Sequence, residues 1–448
     1  MWIWGLGAVS DVLMIQMFGL VFPIFNTSFG IDSVMLSWAI MIPRLLDALL
    51  DPTIGHFSDN LRTKWGRRKP VLFVTAICGA ILVSGIWWVN PAWSKNIQLI
   101  YLIVFASAYY CVWGSFSMAH TALGYELTDD YHERSRLIAI RTFFAQIIAL
   151  LISWTYWFAL LPFFGNEING IRIISGFYSL LILFCIIPVL LGTKERFTKP
   201  PLKHTGILIA LKDALSLQPF RVYLQMRFFS AFGQVIFSQM CFYVNLYYVC
   251  QGDKALATKI IGQSTLLTTA LTIALMPLVP VISKKVGKRR GFILGSGLAV
   301  FQASLTPLLF TPEFPYLQLV AAGLTGPIIA ISVVLRDAII PDICDLDELI
   351  NGKRREGLLT SVISFVYKLE VSLCVLIVGY MISWIRLSPE TQTQSADVII
   401  RMQWFTFAPN ILFAILAFYY STKFSISEEK AAQTSAILLA RRQDLLKV

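Results

Sequence analysis

The sequence predicts an all-α integral membrane protein with 12 transmembrane helices in two six-helix halves. Composition, the spacing of apolar runs and the placement of loop charges carry that prediction. Of 448 residues, 56% are hydrophobic and 14% are charged, and mean hydropathy is +0.68. A water-soluble chain of this size has too little interior to hide that apolar content, so the bilayer is its solvent. In lipid each span must satisfy its own backbone hydrogen bonds, which makes it a helix.

Apolar runs of about the 20 residues that cross a bilayer fall near 2–26, 33–56, 71–90, 97–123, 137–161, 173–192, 221–249, 258–282, 291–311, 315–336, 358–385 and 397–421. Arg62, Lys64, Arg67, Arg68 and Lys69 follow the second run, and Arg134 and Arg136 the fourth. Lys194, Arg196, Lys199 and Lys203 follow the sixth. Lys284, Lys285, Lys288, Arg289 and Arg290 follow the eighth, and Lys353, Arg354 and Arg355 the tenth. The alternate loops hold at most one or two cations each. Lys and Arg collect in cytoplasmic loops. The even-numbered loops and both termini are therefore expected in the cytoplasm, in a multi-pass protein of the inner (plasma) membrane.

The longest polar interruption contains Lys199-Pro200-Pro201. It sets the expected domains: an N-terminal six-helix half (1–192), a cytoplasmic central loop (193–220), a C-terminal six-helix half (221–421) and a cytoplasmic tail (422–448). The halves echo each other. Gly66-Arg67-Arg68-Lys69-Pro70 follows the second helix of one, and Gly287-Lys288-Arg289-Arg290-Gly291 follows the second helix of the other. Paired halves of this kind build transporters, with the site at the midplane between repeats. In the tail, Ser425 with Glu428 is a capping-box pattern for an amphipathic helix over 428–442, expected to lie on the membrane surface.

Other chemistries are not encoded. The seven cysteines are scattered through apolar runs, which is neither a disulfide framework nor metal spacing. The four histidines form no ligand motif, and no nucleophile–base arrangement marks an enzyme. The net charge of +11 sits in loops, so nucleic acid is not an expected partner.

Within the runs, charged residues are the informative ones. An ionised group at a span centre costs roughly 2.5–3.5 kcal/mol on insertion scales. The second run spends that cost three times, at Arg44, Asp47 and Asp51. Asp47 and Asp51 are four apart and share a helix face, with Arg44 nearly on it. One cation beside two carboxylates leaves a spare negative charge that a small cation can fill. The alternative is an ion-pair cluster that only holds helices together. The first run carries Asp11, either a ligand or a hydrogen-bonding partner of another helix. Arg141 opens the fifth run, to bind substrate or to pair with Asp11. Lys368 and Glu370 lie deep in the eleventh, two apart and on different faces. Trp113, Tyr110 and Tyr367 suit a sugar's apolar face, although most aromatics in such a chain are core or interfacial belt. Gln234 and Asn245 offer donors to hydroxyls or to neighbouring helices.

Several stretches resemble the glycoside–pentoside–hexuronide:cation symporters, the melibiose-permease branch of the major facilitator superfamily. They are Asp47-x-x-x-Asp51-Pro52-x-x-Gly55, and Ser58-Asp59-Asn60-x-Arg62-x-Lys64-Trp65-Gly66-Arg67-Arg68-Lys69-Pro70. Ala122-Leu123-Gly124-Tyr125-Glu126-Leu127-Thr128-x-Asp130-Tyr131-x-Glu133-Arg134 also matches, as do Asp342-Ile343-Cys344-Asp345-x-Asp347-Glu348 and Gly352-Lys353-Arg354-Arg355-Glu356-Gly357. The resemblance runs the length of the chain and implies a major-facilitator-type fold with alternating access. It makes Asp47 and Asp51 the cation-coupling carboxylates, with Arg44 their charge partner. It makes Asp11, Arg141 and Lys368 substrate-binding residues. Ser117 and Thr121 stand where the family has a cavity aspartate and a sugar-stacking tryptophan, and they are expected to line the substrate site. Leu50 and Gly114 stand where the family has an asparagine and a Na⁺-binding threonine. Na⁺ wants several oxygen ligands, and these departures leave mainly Asp47 and Asp51.

The expected function is therefore symport of a sugar or glycoside with a monovalent cation, H⁺ rather than Na⁺. A proton needs only one carboxylate of raised affinity, which burial beside a second carboxylate supplies. The alternatives are a carrier of lysolipid or another amphiphile on the same fold, or a substrate sensor that does not transport. No cofactor is expected beyond the co-transported H⁺ or Na⁺, and no metal beyond possible Na⁺ at Asp47 and Asp51. The expected assembly is a monomer in the bilayer. Asp59, Arg62, Arg67 and Arg68, with Asp345, Arg354, Arg355 and Glu356 in the second half, are expected to form gating latches.

Overall fold

The computed structural model describes all residues except 62, 128–130, 194–206, 353–354, 388–392 and 446–448. Side chains at 51–60, 125–126, 131–132, 134–135, 207–211, 282, 284, 333, 337, 356–357, 435 and 439–445 are also outside the description. Among the described residues there is no strand, only an isolated bridge between Thr63 and Gly66.

Long helices follow the apolar runs. The first is α1, an interrupted span over Trp2–Thr27. Five more complete the first set: α2 (Ser33–Asn60), α3 (Arg68–Gly85), α4 (Lys95–Glu126), α5 (Tyr131–Ser153) and α6 (Glu167–Gly192). After the central loop come α7 (Gln218–Tyr243), α8 (Lys254–Leu275), α9 (Lys288–Leu309), α10 (Gln318–Asn351), α11 (Glu356–Ile385) and α12 (Ala396–Lys423). Ten described helices are long and apolar enough to cross a membrane, and α7 and α8 are the two of this set that are not among them. Arg221, Gln225, Arg227 and Gln234 dilute α7. Large apolar side chains face outward, Leu191 at 81% and Phe184 at 73% exposure. That is the pattern of a surface solvated by lipid.

Local chemistry sets the ends. Asp32 caps α2, its Oδ1 accepting from the backbone N–H groups of Val34 and Met35 at 3.0 Å each. Gly352 ends α10 with φ +68°, a left-handed cap that glycine adopts without strain. Helix α1 breaks at Leu6 and again around Gly19-Leu20. Gly7 lets it press on α4, since a Cβ there would lie 2.3 Å from His120 Nε2. Close approach through small residues is how helices associate in lipid, where hydrophobic burial gives no preference for a neighbouring helix.

The chain folds into two compact units. The first contains Met1–Leu202 together with Asp253–Gly262 and Val375–Gln394, two segments that follow the central loop in sequence. The second contains Lys203–Gly252, Gln263–Cys374 and Ser395–Val448. The second has a core around Phe220, Tyr223, Ile343 and Val362.

The tail differs from expectation in two ways. Helix α13 (Glu428–Leu445) is capped by Ser427, whose Oγ accepts from Lys430 N at 3.3 Å. A cap precedes the first helical residue, so Ser425 is two positions too early and Glu428 is no capping-box partner. Nor does α13 simply lie on lipid. Ile426, Thr434 and Leu438 are buried, and Ala431 packs on the core of the second unit.

Candidate functional site

In the first unit α1, α4 and α5 converge on one buried carboxylate. Asp11 is 7% exposed. Trp113 Nε1 donates to its Oδ1 at 3.0 Å. Ser117 Oγ and Arg141 Nη2 donate to its Oδ2 at 3.3 and 3.0 Å. Trp113 and Ser117 are four apart and share a face of α4. Arg141 reaches across from α5, its side chain 31% exposed, and neutralises the carboxylate. A carboxylate offers about four acceptor sites, so three donors leave room for one more.

The same face of α4 continues to α2. Tyr110, one turn before Trp113, is fully buried. The Arg44 guanidinium lies 5.5 Å from the Tyr110 ring centroid. Its Nη1 is 3.5 Å from the hydroxyl, at the limit of a hydrogen bond, so the ring contact defines the pair better. Asp47, one turn after Arg44, is 1% exposed and within electrostatic reach of Tyr110 and Cys111. The Asp51 side chain lies outside the described residues. A polar strip thus runs from Asp11 through Trp113 and Tyr110 to Arg44 and Asp47.

Thr121 is one turn beyond Ser117 and half-buried, and among the described residues no hydrogen bond joins it to Asp11. Lys368 is half-buried on α11 in the second unit, where its carbonyl accepts from Ser372 Oγ at 2.7 Å.

Of the expected latch residues, Arg62 and Arg354 and the side chains of Asp59 and Glu356 lie outside the described set. Arg67 is buried, whereas Arg68 and Asp345 are half-buried. Arg355 grips Asp347 through two bonds of 2.9 and 2.7 Å and approaches Asp213 at 3.8 Å. Hydrogen bonding to Asp347 raises Arg355 further above the ordinary arginine range. Asp347 is fully buried and takes a further bond from Asn351 at 2.7 Å.

Sequence reasoning missed three pairings. The first is Arg355 with Asp347. The second is Lys288 with both oxygens of Asp342, at 2.9 and 2.7 Å. Both acids stand in a motif quoted above beside Asp345. The third is a clasp in the first unit. Lys254 Nζ lies 2.7 Å from Glu167 Oε2 and 3.0 Å from Ser28 Oγ, while Ser28 and Tyr156 donate to Glu167 Oε1 at 2.6 and 2.7 Å. Glu167 next to a helix start, facing one of the few cations in the sparsely charged loops, was the available signal.

Comparison with known proteins places this chain in a family. A family model described as MFS/sugar transport protein matches residues 3–428. The uncharacterized symporter YjmB of Bacillus subtilis (strain 168) is 25% identical over 417 residues, covering 90% of this chain and 87% of its own. The isoprimeverose transporter of Lactiplantibacillus pentosus is 25% identical over 365 residues, covering 79% and 73%. Among solved structures, the D-xylose-proton symporter superposes with a TM-score of 0.61 at 15% identity, covering 93% of this chain and 96% of that one. That last likeness concerns the fold alone. Spanning nearly its whole length, the match makes this chain a member of the MFS/sugar transport protein family, transporters of the bilayer rather than enzymes.

Proposed function

We propose that this protein is a secondary active symporter that carries a sugar or glycoside together with a monovalent cation, H⁺ rather than Na⁺, by alternating access. The observation that carries the proposal is the Asp11 cluster, a buried carboxylate held by Trp113, Ser117 and Arg141 with acceptor capacity to spare. A sugar hydroxyl donates to Asp11, other hydroxyls accept from Arg141 and Ser117, and the Trp113 ring faces the apolar side of the pyranose. These exchanges trade one hydrogen bond for another, so sugar affinity comes from geometry rather than from net bond gain.

Coupling runs along α4. Arg44 and Asp47 connect to the Asp11 cluster through Tyr110 and Trp113. Protonation of the Asp47/Asp51 pair removes the spare negative charge and stabilises the loaded carrier. The half-loaded carrier keeps that charge in a low-dielectric site and is penalised. Leu50 and Gly114 withhold the extra oxygens a Na⁺ shell needs, which supports H⁺. We infer that the Glu167–Lys254–Ser28 clasp of the first unit breaks at one stage of the transport cycle.

The test is counterflow in proteoliposomes preloaded with a panel of sugars and glycosides. Exchange of at least one pyranoside or pentoside, lost in Asp11→Ala, is the expected result. Absence of exchange across the panel by an otherwise folded protein overturns the sugar assignment.

A further inference from the structure

An ionisable side chain inside a span is costly, and it is kept where it pairs with another charge or carries protons. Glu370 lies midway along α11 and outside every motif quoted above. It is fully buried, and neither of its carboxylate oxygens has a hydrogen-bond partner among the described residues. The contrast with other buried acids is sharp. Asp11 and Asp347 each take three bonds.

The charges that reach Glu370 come from two other helices. Ile363, Tyr367 and Glu370 stand at i, i+4 and i+7, so they share a face of α11. Arg227 of α7 is held against that face. Its Nη1 donates to the Ile363 carbonyl at 3.1 Å, and its guanidinium lies 5.2 Å from the Tyr367 ring centroid. Glu370 is about one turn further along, within electrostatic reach of Arg227 and of Arg336 on α10 but hydrogen-bonded to neither. On α11 itself, Lys368 lies on a different face. Ionised, Glu370 bears the cost of desolvation with no donor to offset it. Protonated, it sheds that cost and gives up the attraction of the guanidiniums. The two effects oppose each other, which suits a group that exchanges a proton.

A source of protons lies on the other side of Arg227. A cavity of about 130 Å³ between α7, α9, α10 and α12 is lined by Arg227 and by polar groups including Ser230, Gln234, Ser296, Gln302 and Thr325. One water needs 10–15 Å³ and two to four polar partners, so this space admits several.

We infer that Glu370 is a second proton-binding site, separate from Asp47 and Asp51, which exchanges its proton with water in this cavity. The proton passes from a hydronium ion to the carboxylate and back, and no other covalent bond changes. When it leaves, the ionised carboxylate draws Arg227 off the Ile363 carbonyl into a charge-assisted bond, which ties α7 to α11. When it returns, Arg227 goes back to its neutral partners. The arrangement seen, with Arg227 on the carbonyl and the ring, is the protonated one. This site goes beyond the proposed coupling and stands without it.

The test uses purified full-length protein with no sugar present. Infrared spectra are recorded as pH is stepped, and the carbonyl band of protonated carboxylic acid is followed in wild type and variants. One reversible component of the band is lost in Glu370→Gln and kept in Asp47→Asn and Asp51→Asn. Arg227→Gln moves its midpoint to higher pH by about one unit, because removing a nearby cation favours the neutral acid. Glu370→Gln copies the protonated group in shape, so it unfolds at the wild-type temperature. In proteoliposomes with equal pH on both sides, sugar counterflow follows the curve of that component in wild type and loses this dependence in Glu370→Gln. A band that Glu370→Gln leaves unchanged overturns the site. So does a Glu370→Gln protein that unfolds at a clearly lower temperature while Glu370→Asp does not, the mark of a permanent counter-charge. A Glu370-dependent band with no counterflow of any sugar keeps the site and removes the sugar-transport proposal instead.

Discussion

Replacing Asp11 by Asn separates a ligand from a structural brace. The substitution keeps size and one carbonyl acceptor but removes the charge. Trp113 and Ser117 retain an acceptor within reach, whereas the Arg141 bond falls from charge-assisted to weak. Bonds to charged groups contribute about 1.5–3 kcal/mol. At 3.0 Å and an effective dielectric near 20, the gross attraction of the pair is about 5 kcal/mol. Arg141 is 31% exposed, so water screens part of that, and the lower range is the appropriate one. If substrate hydroxyls bind through Asp11, the loss is about 10- to 100-fold in affinity. The assay is direct binding of a transported sugar to Asp11→Asn and Arg141→Gln, singly and together, with thermal unfolding in parallel. Both single variants weaken binding, and the double variant is no worse than the sum of the two. Affinity within twofold of wild type, combined with a large fall in unfolding temperature, refutes the ligand role and leaves the cluster as an interhelical brace.

Other substitutions test the remaining parts. Asp51→Asn abolishes concentrative uptake yet spares exchange, and unimpaired accumulation removes its coupling role. Lys368→Ala weakens substrate binding several-fold at normal expression, and unchanged affinity with poor expression makes Lys368 structural. Glu167→Gln loosens the clasp, so a cysteine placed at Ser28 reacts several-fold faster with a membrane-impermeant maleimide; an unchanged rate removes the clasp from the transport cycle. Asp347→Asn takes the charge from the bonds that Arg355 makes to it and costs about 1.5–3 kcal/mol, the range for hydrogen bonds to charged groups, read as a lowered unfolding temperature. A shift near zero would mean that Arg355 relaxes to Asp213 or water.

Much of the helical layout was legible because lipid leaves the chain so little choice. Apolar runs of spanning length had to be helices, and the second run, expected from 33, starts where α2 does, at Ser33. The breaks in α1 were not legible. An unbroken apolar run at Gly5-Leu6-Gly7 gives no hint that the helix breaks at Leu6, beside the Trp4–His120 stack at 4.8 Å between ring centroids. At the site, pairing of Arg141 with Asp11 was one of the two roles expected of that arginine, and the structure shows the contact. Ser117 was identified separately, through the resemblance, and its convergence on the pair depends on how α1, α4 and α5 pack, which no spacing along the chain encodes. Trp113 was visible only as one aromatic among many. Lys288 with Asp342 and Lys254 with Glu167 failed for the same reason, since each joins residues far apart in sequence.

We propose that transport is driven by a cation at Asp47 and Asp51, and that this cation is H⁺. The most direct measurement is initial uptake of a transported sugar into sealed vesicles, with pH and Na⁺ gradients imposed separately and the membrane potential clamped. Inward proton flow accelerates uptake and drives accumulation, a Na⁺ gradient at fixed pH does neither, and Asp51→Asn loses the pH response. Uptake that requires Na⁺ at fixed pH, or that ignores both gradients while remaining fast, contradicts the account.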